Sequence, residues 1–179
     1  MAKYLSLSNP RQHENFPLRR TKKLALEELQ PYLLPDIPRE QLAPPIIWSE
    51  LFGNSRPVEV EIGFGKGLFL LTASQAKPDT NFFGVEIVRK YQLLTATRLA
   101  QLKIPNVRVA CADGGQVLRE RVAPGSVSAV HIYFPDPWWK ARHKKRRVFT
   151  EEFARSAARV LQPNGHLHIA TDVEEYFGV

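Results

Sequence analysis

Cysteine is nearly absent from this chain of 179 residues, and a single residue, Cys111, excludes an intramolecular disulfide. A chain without disulfides suits a reducing compartment, so we expect a cytoplasmic protein. No apolar run approaches the roughly 18 residues of a membrane span, and nothing near Met1 has the pattern of a signal peptide, so we expect no membrane partner. The five histidines and one cysteine show no metal-ligand spacing, which predicts a protein without a metal. The sequence shows no paired nucleophile and base of the kind that would indicate a hydrolase.

Negative charge is also in deficit, because 25 lysines and arginines face 18 acidic residues and leave a net charge of +7. A surface of this sign attracts polyanions, of which nucleic acid is the commonest and an acidic membrane the second. The length fits one domain that buries its own core. The sequence leaves a monomer and a homodimer equally open.

Proline divides the chain into two parts. Eight of the 14 prolines lie before residue 58, and such a stretch does not support long helices or central strands. We therefore predict a proline-rich N-terminal arm over residues 1–56, with one short helix around Lys22 to Gln30. A second unit, residues 57–179, should hold the functional site.

Strands and helices alternate from Pro57 onward. Predicted strands cover Val58–Ile62, Asn81–Val85, Asn106–Ala110, Ser128–Phe134 and His166–Ala170. Predicted helices cover Leu68–Ala76, Lys90–Leu102 and a segment that Thr150 caps and that ends near Gln162. This alternation predicts an α/β fold of the Rossmann-like kind, with a mostly parallel, doubly wound sheet.

A glycine-rich turn follows the first predicted strand in the sequence VEIGFGKG. Its glycines, Gly63, Gly65 and Gly67, would let the backbone approach a ligand closely. The dinucleotide fingerprint requires a further glycine where Leu68 stands, and Glu61 would repel a pyrophosphate. A carboxylate there suits the cationic amino acid part of a ligand instead, and an ordinary glycine-rich turn is the alternative.

Acidic residues follow the next two predicted strands. Glu86 lies about 20 residues after the glycines, where an acid binds ribose hydroxyls in nucleotide-binding folds. Asp113 could accept a hydrogen bond from an adenine amino group. The alternatives are a solvated carboxylate for Glu86 and a turn-forming role for Asp113. Because ligands bind at the carboxyl ends of parallel strands, acids after three successive strands indicate a shared site.

The stretch FPDPWWKARHKKRR combines one acid, two tryptophans and six cations. Asp136 stands between two prolines, which stiffen its backbone and aim its carboxylate. The tryptophans offer planar faces to a base, and the cations would meet phosphates, although a charge run is often only a solvated surface. This combination predicts contact with RNA. Asp172 follows the last predicted strand, at the same edge of the sheet.

These stretches, together with HLHIATDVEEY, resemble in order and spacing the bacterial tRNA (guanine-N7-)-methyltransferases, from about Pro57 to Tyr176. The resemblance implies a class I methyltransferase fold and S-adenosylmethionine as the cofactor. The implied cofactor-binding residues are Glu61, Gly63, Gly65, Gly67, Glu86, Asp113 and Asp136, of which Asp136 is also the implied catalytic residue. The implied substrate-binding residues are Lys140, Asp172, Arg142, His143, Lys144, Lys145, Arg146 and Arg147.

The family's target is a guanine in the variable loop of tRNA, so the resemblance implies methylation of N7 of that guanine. Members of the family continue with a further strand pair, and we expect the sheet of this chain to lack it. Two other functions stay open: methylation of an exocyclic amine, and a tRNA-binding subunit without activity. A nicotinamide dehydrogenase is disfavoured by Leu68 and Glu61, and carbon-5 methylation is disfavoured because Cys111 follows the wrong strand.

Overall fold

The computed structural model describes residues 24–34, 44–135 and 150–172. Their centre is a sheet of five parallel strands in the order β3-β2-β1-β4-β5. The strands are β1 (Val58–Ile62), β2 (Asn81–Glu86), β3 (Val107–Cys111), β4 (Val127–Tyr133) and β5 (Leu161–Ala170). The predicted parallel α/β sheet is therefore confirmed, and all the carboxyl ends of its strands meet at one edge.

Helices connect successive strands, as parallel pairing requires. The described helices are α1 (Leu26–Leu29), α2 (Trp48–Phe52), α3 (Leu68–Ala76), α4 (Arg89–Gln101), α5 (Gly114–Arg121) and α6 (Glu151–Val160). Thr150 caps α6 as predicted, since its hydroxyl accepts a hydrogen bond from the amide of Phe153 at 3.2 Å. None of the described helices is long and apolar enough to cross a membrane.

Each face of the sheet packs into its own hydrophobic core. One cluster joins the sheet to α5 and α6 through residues such as Val60, Ile132 and Phe153. The other joins the opposite face to α3 and α4 through residues such as Phe82 and Leu99. The sheet is thus doubly wound, and the apolar side chains of β1, Val58, Val60 and Ile62, all belong to the first core.

The described parts of the N-terminal segment lie against this sheet. The amide of Leu34 donates to the carbonyl of Val109 at 3.0 Å, and that of Ile46 donates to Arg121 at 2.8 Å. The ring of Trp48 lies 5.4 Å from that of Phe83. The arm's boundary at residue 56 stays a prediction.

Two helices were missed by the sequence prediction, and one residue, Leu161, was placed in the wrong element. The helices α2 and α5 had no sequence prediction, in α5 because two glycines begin it. Leu161 was expected on α6 but begins β5, where it pairs with Val127 before a bulge shifts the pairing to Ala129 and His166. The bulge holds Pro163, which explains why this stretch resembled a turn.

Candidate active site at the carboxyl edge of the sheet

The glycine loop turns sharply between β1 and α3. Gly63, Gly65 and Gly67 all have positive φ, at 74°, 52° and 75°. Gly67 also has no room for a side chain, because a Cβ there would lie 2.5 Å from the side chain of Thr95 on α4. The loop backbone is therefore fixed close to α4, with its surface open to a ligand.

Glu86 holds this loop in place. One carboxylate oxygen accepts a hydrogen bond from the amide of Gly65, and the other accepts one from Val88, both at 2.9 Å. Such bonds join the end of β2 to the loop after β1, as the predicted shared site requires. They also give Glu86 a structural role, while its binding of a ribose stays a prediction.

Among the described acids of this edge, Glu61 has the most strongly shifted pKa. It is only 4% exposed, and among the described residues its Oε2 has no hydrogen-bond partner. Burial, and after it the negative charge of Glu86, raises the pKa of Glu61 to about 8. A buried acceptor without a donor is costly, so this position fits a ligand that brings a donor or a positive charge.

Asp113 serves first as a helix cap. Its Oδ1 accepts a hydrogen bond from the amide of Gln116 at 2.9 Å and so begins α5. The next residue, Gly114, packs on Ile62, since a Cβ there would lie 2.4 Å from that side chain. The turn-forming alternative is therefore present in the structure, and adenine binding by the exposed Asp113 carboxylate stays a prediction.

The remaining predicted residues divide into two groups. Asp172 is exposed and follows β5 at the same edge as the acids above. The others lie outside the described residues: Asp136, Lys140, Arg142, His143, Lys144, Lys145, Arg146 and Arg147. The last described part of their motif is Phe134-Pro135, and Phe134 has a φ of 49° and donates its amide to Ala170 at 2.7 Å. The motif thus starts beside β5.

Three polar side chains near this edge had no sequence prediction, namely Glu59, His131 and Tyr133. His131 lies between the other two, with Nε2 at 2.9 Å from Glu59 Oε2 and Nδ1 at 3.0 Å from the hydroxyl of Tyr133. Their signal in the sequence is weak but real, because acids alternate along β1 and polar rings alternate along β4. Central parallel strands are usually apolar on both faces, so such alternation indicates a polar site.

Within the part of the chain that the structure describes, no group of three or more histidine, cysteine, aspartate or glutamate residues could hold a metal. A cavity of about 440 Å³ lies at the amino end of the sheet, lined in part by Trp48, Arg56 and Gln162. It contains none of the acids above. We therefore place the candidate site at the carboxyl edge, where Glu61, Glu86 and Asp113 lie.

The strand order, with acids at the carboxyl edge, is the arrangement expected of a class I methyltransferase fold. The chain is similar in structure to an antibiotic-related methyltransferase, with a TM-score of 0.56 and 16% identity over 73% of this chain and 66% of that chain. At the sequence level it matches the family described as "Putative methyltransferase" over residues 55–178. The chain belongs to this methyltransferase family.

Curated relatives carry a more specific name. The chain is 43% identical over 143 residues to the tRNA (guanine-N(7)-)-methyltransferase of Rhodopirellula baltica, which covers 77% of this chain and 53% of that protein. It is 40% identical over 137 residues to the protein of the same name from Geobacter metallireducens, which covers 76% of this chain and 65% of that protein. This chain thus spans between one half and two thirds of these relatives.

Proposed function

We propose that this protein transfers the methyl group of S-adenosylmethionine to N7 of a guanine in the variable loop of tRNA. The observation that carries the proposal is the buried carboxylate of Glu61, which has an oxygen without a partner beside the glycine loop. The names of the relatives from Rhodopirellula baltica and Geobacter metallireducens support the choice of base and of RNA.

The residues of the edge fit the cofactor chemically. S-adenosylmethionine, when bound, would supply an electrophilic methyl group: its sulfur–methyl bond would break as the bond to N7 forms, which leaves neutral S-adenosylhomocysteine and places the positive charge on the purine. Glu61 would hold the cationic amino acid part, since its open oxygen needs a donor. Glu86 would keep the loop open towards the ribose through its bond to Gly65, and Asp113 would face the adenine.

The reaction asks for positioning rather than for a base. N7 of guanine is a lone-pair acceptor without a proton, so no residue has to remove one. Correct in-line placement can contribute roughly 7–11 kcal/mol to lowering the barrier. Negative potential near the charged product adds to this. We assign that role to Asp136, which accepts hydrogen bonds from the guanine or the cofactor in this proposal.

The remaining motif residues would bind the RNA. Lys140 and Asp172 would contact the target nucleotide, and the cations from Arg142 to Arg147 would meet phosphates, with His143 between them. Replacing Arg146 and Arg147 together by alanine should then weaken tRNA binding and flatten its salt dependence by about 1.5 in log–log slope. An unchanged slope would mean that these cations do not meet phosphates. A cytoplasmic location is part of the same proposal.

The test is a methyl-transfer assay on unmodified tRNA, followed by digestion and analysis of the nucleosides. The expected product is 7-methylguanosine, and Asp136→Ala should abolish it while far-ultraviolet circular dichroism stays unchanged. A base methylated on an exocyclic amine would favour the first alternative. Binding of tRNA without any transfer by the wild-type protein would favour the tRNA-binding subunit.

A further inference from the structure

A chain of polar side chains lies beneath the candidate site, and the function proposed above does not use it. Lys77 Nζ is 2.8 Å from Glu59 Oε1, and the other oxygen of Glu59 is 2.9 Å from His131 Nε2. His131 Nδ1 is in turn 3.0 Å from the hydroxyl of Tyr133. Glu59 and His131 are both buried. The chain therefore leads from the surface at Lys77 to the carboxyl end of β4.

The charge of Glu59 gives this chain a direction. Burial alone would raise the pKa of Glu59, but hydrogen bonds with His131 and Lys77 outweigh it and lower the pKa to about 2. An ionised carboxylate only accepts, so His131 Nε2 donates to it. When the imidazole carries only this one proton, Nδ1 accepts the hydroxyl proton of Tyr133.

Tyr133 itself keeps that proton at neutral pH. Burial, followed by the charges of Glu61 and Glu59, raises the pKa of Tyr133 to about 12. With the proton of His131 on Nε2 alone, the hydroxyl hydrogen of Tyr133 is directed at Nδ1, and the lone pairs of its oxygen are available to another group. The chain thus turns Tyr133 into a hydrogen-bond acceptor with a fixed orientation.

The register of the sheet brings this acceptor next to Glu61. Glu61 on β1 lies opposite His131 on β4, so Tyr133 is the diagonal neighbour of Glu61 on the same face and one step nearer the carboxyl edge. The ring of Tyr133 lies 5.0 Å from that of Phe69, in the first turn of α3 after the glycine loop. A ligand that occupies the open oxygen of Glu61 therefore has Tyr133 beside it.

Other charged groups around the imidazole are few among the described residues. Glu59 and Glu61 face His131 from β1, Tyr133 follows it on β4, and His168 on β5 stacks on its ring at 4.9 Å. His168 is exposed and makes no described hydrogen bond to Glu59, His131 or Tyr133. The orientation of Tyr133 thus depends on Glu59 and His131, and His168 provides a neighbouring control.

We propose that Tyr133 is a ligand-binding residue of this site, whose oxygen faces a cationic group of the ligand held at Glu61. Glu59 and His131 are its positioning residues. The identity of the ligand rests on the proposed function. S-adenosylmethionine carries two cationic groups, its ammonium and its sulfonium, and both suit an acceptor of this kind.

Three ligands separate these groups in calorimetric titrations of the wild type and Tyr133→Phe. S-adenosylmethionine has both cations, S-adenosylhomocysteine has only the ammonium, and methylthioadenosine has neither. We expect Tyr133→Phe to weaken the binding of S-adenosylmethionine by roughly five- to tenfold and to leave the binding of methylthioadenosine unchanged. A similar loss of affinity for S-adenosylhomocysteine would identify the ammonium as the group that Tyr133 contacts. An unchanged affinity for S-adenosylhomocysteine would identify the sulfonium. Equal losses for all three ligands, or none for any, would overturn the proposal.

The positioning role is tested at His131. A glutamine side chain can donate to Glu59 and accept from Tyr133, whereas leucine can do neither. We expect His131→Gln to retain the wild-type ratio of affinities for S-adenosylmethionine and methylthioadenosine, and His131→Leu to reproduce the Tyr133→Phe ratio. Adding Tyr133→Phe to His131→Leu should cause no further loss, since both act on one oxygen. The control His168→Gln should leave the ratio unchanged.

A measurement without ligand covers the case in which His131→Leu fails to fold. Nitrogen-15 NMR of the wild-type imidazoles should show His131 with its proton on Nε2, and a proton on Nδ1 would refute the arrangement of the chain. If the wild type bound none of the three ligands, the cofactor assignment would fail, and the role of Tyr133 towards it would fail too. The tautomer of His131 would still decide whether the chain is arranged as described.

Discussion

Glu61 should make the stability of this protein fall with rising pH in a window where few carboxylates titrate. Its pKa in the folded state is about 8, against an ordinary value of 4.5. The folded protein therefore holds a proton that the unfolded chain releases between pH 4.5 and 8, and the unfolded state gains by that release. The stability that this group contributes is complete below pH 4.5 and is lost as the pH rises through 8.

The magnitude follows from the difference between the two pKa values, which corresponds to about 5 kcal/mol over the whole window. Glu61→Gln removes the titration and retains a neutral side chain of the same shape. The variant and the wild type should thus be close in stability at pH 5, while the variant is more stable at pH 9 by at most about 5 kcal/mol. For a protein of this size each kcal/mol moves the Tm by roughly 2–4 °C.

The assay is thermal unfolding followed by circular dichroism between pH 5 and pH 9 at constant ionic strength. The exposed substitution Glu50→Gln, on α2, is the matched control for the loss of one carboxylate. Curves for the wild type and Glu61→Gln that stay parallel across this range would refute the reasoning, because they would mean that Glu61 does not hold its proton.

A ligand gives the same group a second signature. A cation bound at Glu61 favours the ionised carboxylate, so binding near pH 7 should release close to one proton, and affinity should rise up to about tenfold per pH unit below pH 8. Titrations of S-adenosylmethionine in buffers of different ionisation enthalpy count this proton. Glu61→Gln should show no such release, and a wild type that releases none would exclude a cation at this carboxylate.

Three further predictions concern the framework of the site. Gly67→Ala should reduce cofactor affinity and stability, since its methyl group would overlap Thr95; a variant with wild-type affinity in calorimetry would show that the loop can shift. Glu59→Gln should lower stability at pH 7, because the pKa of Glu59 in the folded protein is lowered to about 2. The variant should also lack the loss of stability that the wild type shows as the pH falls from 4.5 to 2. Acid titrations of both proteins by circular dichroism measure this loss, and identical slopes would contradict the prediction. Arg159→Met should lower the free energy of unfolding by about 2 kcal/mol, because the Arg159 guanidinium donates to three carbonyls between residues 118 and 122. Chemical unfolding measures this, with Arg155→Met, a substitution of an exposed arginine on the same helix, as the control. Equal losses in the two variants would argue against the role of Arg159.

The strands could be predicted from the sequence better than the helices between them. β1 was predicted with its observed bounds, because a short apolar run that ends in glycines has few other interpretations. α5 was missed because Gly114 and Gly115 oppose helix formation, and its start depends on the cap from Asp113 and on contact with Ile62. Such tertiary contacts leave no periodic pattern in the sequence.

The candidate site shows a similar division. The positions of Glu61, Glu86 and Asp113 at one edge follow from strand ends alone, so the sequence was sufficient to predict that they share it. Their hydrogen-bond partners were not predictable. The bond from the amide of Gly65 to Glu86 depends on loop geometry, and so does the absence of a described partner for one oxygen of Glu61. The chain from Glu59 to Tyr133 depends on the register between β1 and β4, which no local pattern determines.

His131 also bears on the choice of reaction. Both ring nitrogens of His131 have partners, Glu59 on one side and Tyr133 on the other, so it is not poised to take a proton from a substrate. A methyl transfer to an exocyclic amine has to release a proton from the nitrogen that attacks, whereas N7 of guanine carries none. With His131 committed to orienting Tyr133, this part of the site suits a nucleophile that needs no deprotonation. Among the residues that the structure describes, this arrangement supports the proposed N7 of guanine over an exocyclic amine, and analysis of the methylated nucleoside decides between them.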